Sequence, residues 1–493
     1  MIKENSHSNT AQAMWVALGS LASFGLTIIS SMILSRYFNK VDYGTYKQVM
    51  YVYNTCLFVF TLGLPKSFGY FLPRVPLEEG YSLVNKITRI FFGMGTFFSL
   101  LLFMFAPQLS VVLKNPDLEV AIRLFSPVPF LMLPTMGLEA IYSTYRKTYI
   151  SSMYVVITRL VMLLCLVMPT ILFQGDYKLA IIGFVTASAF DFAFALYLKN
   201  RPFRNVEKHR TTISYKSILQ FSIPLMYASL WGTIIKSSDQ FFISRYFGQE
   251  IFAEFTNGFI ELPFIGMIIG ACSTVLFPLF SKLDHEQSDP KTTILPLWIS
   301  VFKKTAMLIY PLLAFCWVFA DDIMIVLYGH QYEVSAIYFR IIQIANIFTL
   351  IVYAPLILAL GKTKYYANVH MVIAFILVIL EYLSVNFIDS SYMIAIISVT
   401  CNVGKTIALL ALVAKCLQVK IIELFPVNLL LKILLLPILF LFTYRLLVNF
   451  ENSFINLLFG GMIYVFVYLL YAKLVGIDYM KLILPFLQRK MAK

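Results

Sequence analysis

Apolar segments long enough to cross a bilayer recur along the whole chain, separated by short polar stretches. A helix of about 20 residues spans the roughly 30 Å hydrocarbon core of a membrane. The pattern therefore predicts an all-α polytopic membrane protein with about fourteen transmembrane helices, because no loop is long enough for a soluble domain. We place these helices at residues 13–38, 46–72, 83–106, 119–142, 149–173, 177–199, 215–247, 252–281, 297–327, 334–360, 366–388, 390–415, 427–448 and 453–475.

One membrane segment occurs twice in the sequence. Ser35-Arg36-Tyr37-Phe38 ends the first predicted helix, and Ser244-Arg245-Tyr246-Phe247 ends the seventh, 209 residues later. At the same offset, Tyr43-Gly44-x-Tyr46 aligns with Phe252-Ala253-x-Phe255. An internal repeat in a hydrophobic chain is typical of two-lobed transporters, in which the substrate is handled where the lobes meet.

The two copies are predicted to have the same orientation in the membrane. The offset between them covers six helices, an even number, so a pseudo-two-fold axis along the membrane normal relates them. Arg123 and Arg340, which open the fourth and tenth helices, extend the correspondence. We predict an N-terminal lobe at 1–205, a C-terminal lobe at 206–420, and two accessory helices with a basic tail at 421–493. The tail from Asp478 to Lys493 is expected on the inner membrane surface.

Charge and cysteine content support a membrane protein and exclude several other classes. Only 13% of the residues are charged, against about 25% in soluble domains. Most of the 39 Lys and Arg residues fall on alternate loops. This distribution predicts that both termini are cytosolic in a bacterial inner membrane, and it points to contact with anionic lipids rather than nucleic acid. The densest basic cluster is the inter-lobe linker, with Lys199, Arg201, Arg204, Lys208, Arg210 and Lys216. The six cysteines lack metal-ligand spacing, so we expect no metal and no cofactor.

Nine ionisable residues fall within the predicted helices. A charged side chain at the bilayer centre costs about 2.5–3.5 kcal/mol on an insertion scale, so nine of them cannot all face lipid. Residues near helix ends, such as Glu139 and Lys405, can extend their charges to the membrane surface. The nine residues are Lys66, Glu139, Arg159, Asp191, Lys236, Asp239, Glu261, Glu381 and Lys405.

Depth along the helices selects a cluster in the second copy. Asp239 and Glu261 lie at similar distances before and after the predicted loop between helices seven and eight, near mid-membrane. Lys236 is one turn from Asp239. We assign Asp239, Glu261 and Asp191 as candidates for ion coupling. The alternative is that they form internal ion pairs that only fix helix packing.

Three cations are candidates for a substrate-binding cavity: Lys66, Arg159 and Lys236. Cations in a membrane cavity suit an anionic substrate, such as a pyrophosphate or an acidic sugar. A buried carboxylate can take up a proton on one side and release it on the other, which coupled transport requires.

The sequence resembles the polysaccharide flippases of the multidrug/oligosaccharidyl-lipid/polysaccharide exporter superfamily. Three motifs carry the resemblance, the first of which is the repeated Ser-Arg-Tyr-Phe. The seventh helix of Wzx-type flippases looks like the segment Ser237-Ser238-Asp239-Gln240-Phe241-Phe242-Ile243. Their second helix resembles Gly63-Leu64-Pro65-Lys66. The resemblance implies two lobes around a cation-lined cavity that flips an undecaprenyl-pyrophosphate-linked oligosaccharide outward. It also implies a polysaccharide polymerase and a chain-length regulator as possible partners.

Two other functions are open at this stage. The first is a cation-coupled drug exporter on the same fold. Many such exporters place a coupling carboxylate in the first helix, and here that helix carries no acidic residue. The second is a membrane enzyme, for which the short loops and five scattered histidines provide no nucleophile–base spacing. We therefore predict a transporter rather than an enzyme, while the sugar, the coupling ion and the oligomeric state stay undetermined.

The repeat is asymmetric in its charges. At the 209-residue offset, the counterpart of Asp239 is Ser30 and the counterpart of Lys236 is Thr27. We therefore predict ion coupling in the second copy.

Overall fold

The structure, a computed structural model, describes residues 9–286, 289–349, 352–425, 427–448, 450–477 and 479. Within these residues every regular element is a helix. In this described part of the chain, eleven helices are long and apolar enough to cross a membrane, or twelve if the bent helix at 215–258 is included. The prediction of an all-α polytopic membrane protein is therefore confirmed. Most of the tail predicted to lie on the inner surface, residues 478 and 480–493, lies outside the described residues.

The chain forms two compact units, residues 1–256 with 377–394, and residues 257–376 with 395–493. The three-segment division predicted above stays a prediction. The helices up to the first boundary are α1 (Asn9–Tyr37), α2 (Lys40–Phe60), α3 (Pro65–Phe71), α4 (Leu77–Val112), α5 (Asp117–Phe125), α6 (Val128–Met132), α7 (Leu138–Thr144), α8 (Thr148–Leu172), α9 (Tyr177–Asn200) and α10 (Tyr215–Gly258). Those that follow are α11 (Pro263–His285), α12 (Leu295–Val318), α13 (Ala320–Tyr328), α14 (Ser335–Thr349), α15 (Ala354–Ala359), α16 (Thr363–Phe387), α17 (Ser391–Leu417), α18 (Val427–Leu430), α19 (Leu436–Leu447) and α20 (Ser453–Leu474).

All fourteen predicted segments contain helix, but several of them are interrupted. The second is divided into α2 and α3, the eighth begins within α10 and continues as α11, and the tenth is divided into α14 and α15. Each resumed helix has a proline at its first or second position, namely Pro65, Pro263 and Pro355. Proline disfavours helical backbone in the residue before it and fits the first turn of a new helix. The breaks at Pro263 and Pro355 fall in two predicted helices that are not among the eleven spans, whereas residues 40–74 still count as one span despite the break at Pro65.

The repeated motif forms buried packing in both of its copies. Ser35 and Ser244 are fully buried, and so are Tyr43 and its counterpart Phe252. A side chain at Gly44 would place a Cβ 2.2 Å from the carbonyl oxygen of Gln249, so only glycine allows α2 to approach α10 this closely. These four residues of the repeat thus pack helices together, while Arg36 of the first copy is exposed.

Polar contacts join α2 to α10 where the repeated motifs lie. Gln48 donates through Nε2 to Ser244 Oγ at 2.8 Å, and Asn115 donates to Gln48 Oε1 at 2.6 Å. The Lys40 ammonium pairs with the Glu254 carboxylate, with 2.5 Å between Nζ and Oε1. We call these contacts the α2–α10 latch.

The inter-lobe linker is bound to the start of α4 rather than free. Lys86 Nζ donates to the carbonyl oxygens of Thr211 (3.3 Å) and Ile213 (2.8 Å), and the backbone N–H of His209 donates to Glu78 O at 2.9 Å. Lys199, which the sequence placed in the basic linker cluster, is instead fully buried. Its ammonium donates to the carbonyl oxygen of Pro134 at 2.7 Å. Pro134 lies in the short 3-10 helix Leu133–Thr135, between α6 and α7. Five of the six cluster residues remain as surface charge.

In the second unit, a tyrosine satisfies a carbonyl that a proline leaves without a partner. Pro311 lies inside α12 and has no N–H to donate to Met307 O, one turn earlier. The Tyr479 hydroxyl donates to that oxygen at 2.8 Å, and burial raises the pKa of Tyr479, which keeps the hydroxyl protonated. In lipid such a carbonyl must find a partner within the protein. Tyr479 therefore stabilises the proline bend of α12.

We expect Tyr479→Phe to lower the free energy of unfolding of the chain, with the bond to Met307 O contributing about 1 kcal/mol. The substitution also removes the hydrogen bond between the Tyr479 and Tyr468 hydroxyls (2.6 Å) in either background. In a Pro311→Ala background the helix regains its own N–H donor, so the same substitution should cost about 1 kcal/mol less. Unfolding of the four variants in detergent measures this coupling. Equal losses in both backgrounds would contradict the assigned role.

Candidate functional site

Asp239 lies buried on α10, within the first unit. Its side chain is 2% exposed, and its neighbour Ser238 is also buried. From α2, the Tyr51 hydroxyl donates to the carbonyl oxygen of Ser237 at 3.2 Å. The segment containing Asp239 is thus held by backbone contact as well as by side-chain packing.

Glu381 of α16 lies near Asp239, since it is bonded to the neighbouring Ser238. Ser238 donates its hydroxyl to Glu381 Oε2, and the two carboxylates interact electrostatically. Glu381 is fully buried, and its Oε1 atom has no hydrogen-bonding partner among the described residues. The hydroxyl of Ser384, one turn further along α16, is buried and equally without a partner there. We call Ser238, Asp239, Glu381 and Ser384 the acidic cluster.

The acidic cluster has the chemistry of a small-cation site. Two carboxylates buried side by side repel each other when both are ionised, and a shared proton or a bound cation removes the repulsion. Carboxylate and hydroxyl oxygens are also the ligands that hard cations prefer. The unpartnered oxygens of Glu381 and Ser384 are therefore available to a proton or a metal cation.

The sequence placed Glu381 among the nine membrane charges but did not select it for the site. A signal was present, because Glu381 is seven residues before the predicted end of its helix and Asp239 is eight before the end of its own. Helices seven and eleven are expected to run in the same direction, so the two carboxylates should have similar depth. The same criterion also fitted Glu261, and depth alone could not decide between them.

Glu261 occupies a different position from the one predicted. It lies in the non-helical stretch between α10 and α11, where we had expected a continuous helix, and its side chain is exposed. It belongs to the second unit, whereas Asp239 belongs to the first. The expected helix at 252–281 is wrong at this point because Pro263 starts a new helix there.

The three predicted cavity cations, Lys66, Arg159 and Lys236, all have exposed side chains in the first unit. Lys66 follows the break between α2 and α3, and its backbone N–H donates to Gly63 O at 3.3 Å. Lys236 lies one turn from Asp239 on α10, and its side chain is exposed whereas that of Asp239 is buried. Their common role in binding substrate stays a prediction.

Arg159 lines a cavity of about 80 Å³ inside the first unit, which we call the Arg159 cavity. Its other polar lining residues are Thr27, Ser30 and Ser31 of α1 and Tyr46 of α2, and the rest of the lining is apolar. Asp191, from the neighbouring α9, is buried, accepts a hydrogen bond from the Tyr154 hydroxyl, and interacts electrostatically with Arg159. Arg159 and Asp191, predicted separately from the sequence, are therefore neighbours.

Solved structures of low sequence identity share this fold. A structure of the lipid II flippase MurJ in an inward closed conformation matches with a TM-score of 0.73 at 16% identity, covering 95% of this chain and 99% of that one. A mutant of the Vibrio cholerae MATE transporter VcmN matches with a TM-score of 0.57 at 13% identity, covering 83% and 95% of the two chains. A Pyrococcus furiosus transporter of the MOP superfamily, described as having a binding pocket of reverse polarity, matches at 12% identity with a TM-score of 0.57 and the same coverages.

Sequence comparison gives a more specific result than fold similarity. The succinoglycan biosynthesis transport protein ExoT of Rhizobium meliloti (strain 1021) is 24% identical over 340 residues, which are 66% of this chain and 64% of that protein. The match thus spans just under two thirds of the relative's length. Residues 33–337 match the family described as "Polysaccharide biosynthesis protein". The predicted resemblance to polysaccharide exporters is confirmed, and the chain belongs to the polysaccharide biosynthesis protein family.

Proposed function

We propose that this chain flips an undecaprenyl-pyrophosphate-linked oligosaccharide from the cytosolic to the periplasmic leaflet of a bacterial inner membrane. The observation that carries the proposal is the family membership of a chain made of membrane-spanning helices. The relative named for transport in succinoglycan biosynthesis gives further support. Both termini are cytosolic in this proposal, from the distribution of Lys and Arg over the loops.

Transport proceeds by alternating access in this proposal. The sugar and pyrophosphate enter a polar cavity, where the exposed cations Lys66, Arg159 and Lys236 offset the negative charge of the substrate. The lipid tail stays in the bilayer, because transferring a long hydrocarbon chain out of lipid is costly. The α2–α10 latch closes the periplasmic end, since the first and seventh helices end there in the proposed topology.

The acidic cluster supplies ion coupling. A proton or a sodium ion binds between Asp239 and Glu381, and the charge of the cluster then differs between the loaded and empty states. A change in buried charge alters the stability of one helix arrangement relative to another. Of the three coupling candidates predicted from the sequence, Asp239 carries this role, with Glu381 in the place expected for Glu261.

A cation-coupled exporter of small molecules is the second candidate function. The fold similarity to the MATE transporter VcmN and the acidic cluster are compatible with it. The exposed cations favour anionic substrates instead, since a drug exporter for cationic dyes needs a negatively charged cavity. We place enzymatic function behind both, because the relatives found are transport proteins and flippases by name.

Purified protein in proteoliposomes tests the proposal directly. A fluorescent undecaprenyl-pyrophosphate oligosaccharide in the outer leaflet is followed by its accessibility to a membrane-impermeant quencher. Cationic dyes in the same vesicles test the drug-exporter alternative. A polymerase and a chain-length regulator as partners are part of the proposal, and co-purification from the native membrane tests for them.

A further inference from the structure

The Arg159 cavity occupies the position in the first repeat that the acidic cluster occupies in the second. Ser30 and Thr27, the counterparts of Asp239 and Lys236, both line the cavity. Arg159 comes from the fifth predicted helix, and Glu381 comes from the eleventh, the equivalent helix of the second copy. The two repeats therefore use equivalent helix pairs to build two sites of opposite charge.

The cavity lies between α1 and α8, which pack against each other. A Cβ at Gly19 would lie 3.0 Å from the Cβ atom of Ser152, so the two helices approach closely there. The hydroxyl of Ser30 is buried and has no hydrogen-bonding partner among the described residues. A buried hydroxyl without a partner is costly unless water or a ligand satisfies it. A ligand that forms hydrogen bonds in the cavity would therefore satisfy the Ser30 hydroxyl.

The charge of the cavity comes from Arg159. Asp191 does interact with Arg159, but it does not line the cavity, and the Tyr154 hydroxyl already donates to its carboxylate. A guanidinium has five N–H donors, so one face can serve Asp191 while another faces a ligand. The remaining polar lining consists of hydroxyl groups, which can donate to a negatively charged oxygen. That of Thr27 already donates to the carbonyl oxygen of Ser23 at 2.9 Å.

We propose that the Arg159 cavity binds a carboxylate group carried by the substrate, such as that of an acidic sugar or an acidic substituent. This inference rests on the proposed function, because it assigns the cavity to part of the transported oligosaccharide. The cation site in the second copy and the anion site in the first would then make loading depend on both the coupling ion and the substrate.

Size and charge favour a carboxylate over the alternatives. A cavity of about 80 Å³ is far below the roughly 300–1,000 Å³ of pockets that enclose whole drug-sized ligands, so it admits one functional group. A single guanidinium matches the planar geometry of a carboxylate with two parallel hydrogen bonds. A phosphate dianion would bring two charges against one cation, with Asp191 close by.

Ligand binding to the purified full chain in detergent tests the assignment, with methyl glucuronide as the acidic probe. Methyl glucoside has the same ring without the charge and is the matched neutral probe, and inorganic phosphate is the third. We expect methyl glucuronide to bind at least about tenfold more tightly than methyl glucoside, the effect of one hydrogen-bonded charge. Equal binding of the two sugars, or tighter binding of phosphate, would overturn the carboxylate assignment.

Variants locate the binding. Arg159→Gln should remove the preference for methyl glucuronide, and Ser30→Ala should weaken it severalfold. Asp191→Asn should strengthen binding of methyl glucuronide, because it removes the competing charge beside Arg159. A role of Asp191 in packing alone would not produce that gain, so an unchanged or weaker affinity counts against the proposal.

Arg123→Gln is the matched control, since it removes an arginine that pairs with Glu119 and does not line the cavity. It should bind methyl glucuronide like the wild type, and a loss in this variant would show that net charge is responsible. If Arg159→Gln still binds methyl glucuronide more tightly than methyl glucoside, the assignment of the Arg159 cavity as the carboxylate site is wrong. Each binding result is independent of flipping, so failure of the site and failure of the proposed function are distinguishable.

Discussion

Replacing Asp239 with asparagine, or Glu381 with glutamine, should uncouple transport from the ion gradient. A gradient of one pH unit, or a tenfold gradient of sodium, supplies about 1.4 kcal/mol per ion. If one ion is coupled to each flipping event, the ratio of lipid-linked oligosaccharide between the two leaflets changes about tenfold. We expect wild-type vesicles to show this shift and each variant to show almost none, since both carboxylates are needed to hold the ion.

The acidic cluster should act as one unit. The double variant Asp239→Asn/Glu381→Gln is therefore expected to be no worse than either single variant, as is usual for groups that share one function. Glu119→Gln removes an acid that is paired with Arg123 outside the cluster, and it should keep the full response. The measurement is the distribution of lipid-linked oligosaccharide across proteoliposome leaflets with and without each gradient. A normal gradient response in both single variants would exclude the cluster as the coupling site.

Cross-linking α2 to α10 should arrest transport. Lys40 and Glu254 form an ion pair across the α2–α10 latch, and both side chains retain some exposure to solvent. Cysteines at these two positions, in a chain without its six native cysteines, can be joined by a short cleavable thiol reagent. We expect the rate of flipping to fall below about a tenth of the rate before cross-linking. A tenfold decrease corresponds to an increase of about 1.4 kcal/mol in the activation free energy of flipping. Cleavage of the cross-link should restore it.

A cysteine pair within α2, at positions 40 and 47, is the matched control. It reacts with the same reagent but does not tie α2 to α10, so flipping should continue. If the cross-linked 40–254 protein flips at the rate of the uncross-linked protein, the latch does not open during transport. The mechanism of alternating access proposed for this end of the molecule would then be wrong.

The hydrophobic pattern predicted the helical segments well, because twenty-residue apolar runs have few alternatives in a membrane. It did not predict where they break. Pro65 and Pro263 each begin a new helix, whereas Pro169 and Pro311 lie within continuous ones. The difference depends on which groups satisfy the freed carbonyls, as Tyr479 does for Met307, and such partners are distant in the sequence.

The same limit applies to the candidate sites. The sequence identified Asp239 and Arg159 from the cost of charge in a membrane, which depends on local composition alone. It could not identify Glu381 as the partner of Asp239, because depth along a helix does not specify which helices are adjacent. The 209-residue repeat carried more information. It paired Ser30 with Asp239, and the structure gives that pairing a meaning, since Ser30 lines the Arg159 cavity.

Flipping of a fluorescent undecaprenyl-pyrophosphate oligosaccharide by the purified chain in proteoliposomes tests the central claim most directly. The proposed function predicts that about half of the outer-leaflet probe becomes protected from the impermeant quencher without a gradient, since two leaflets then equilibrate. Protein-free vesicles should retain full quenching. Full quenching in vesicles that contain folded protein, together with uptake of a cationic dye, would contradict the flippase and favour the small-molecule exporter.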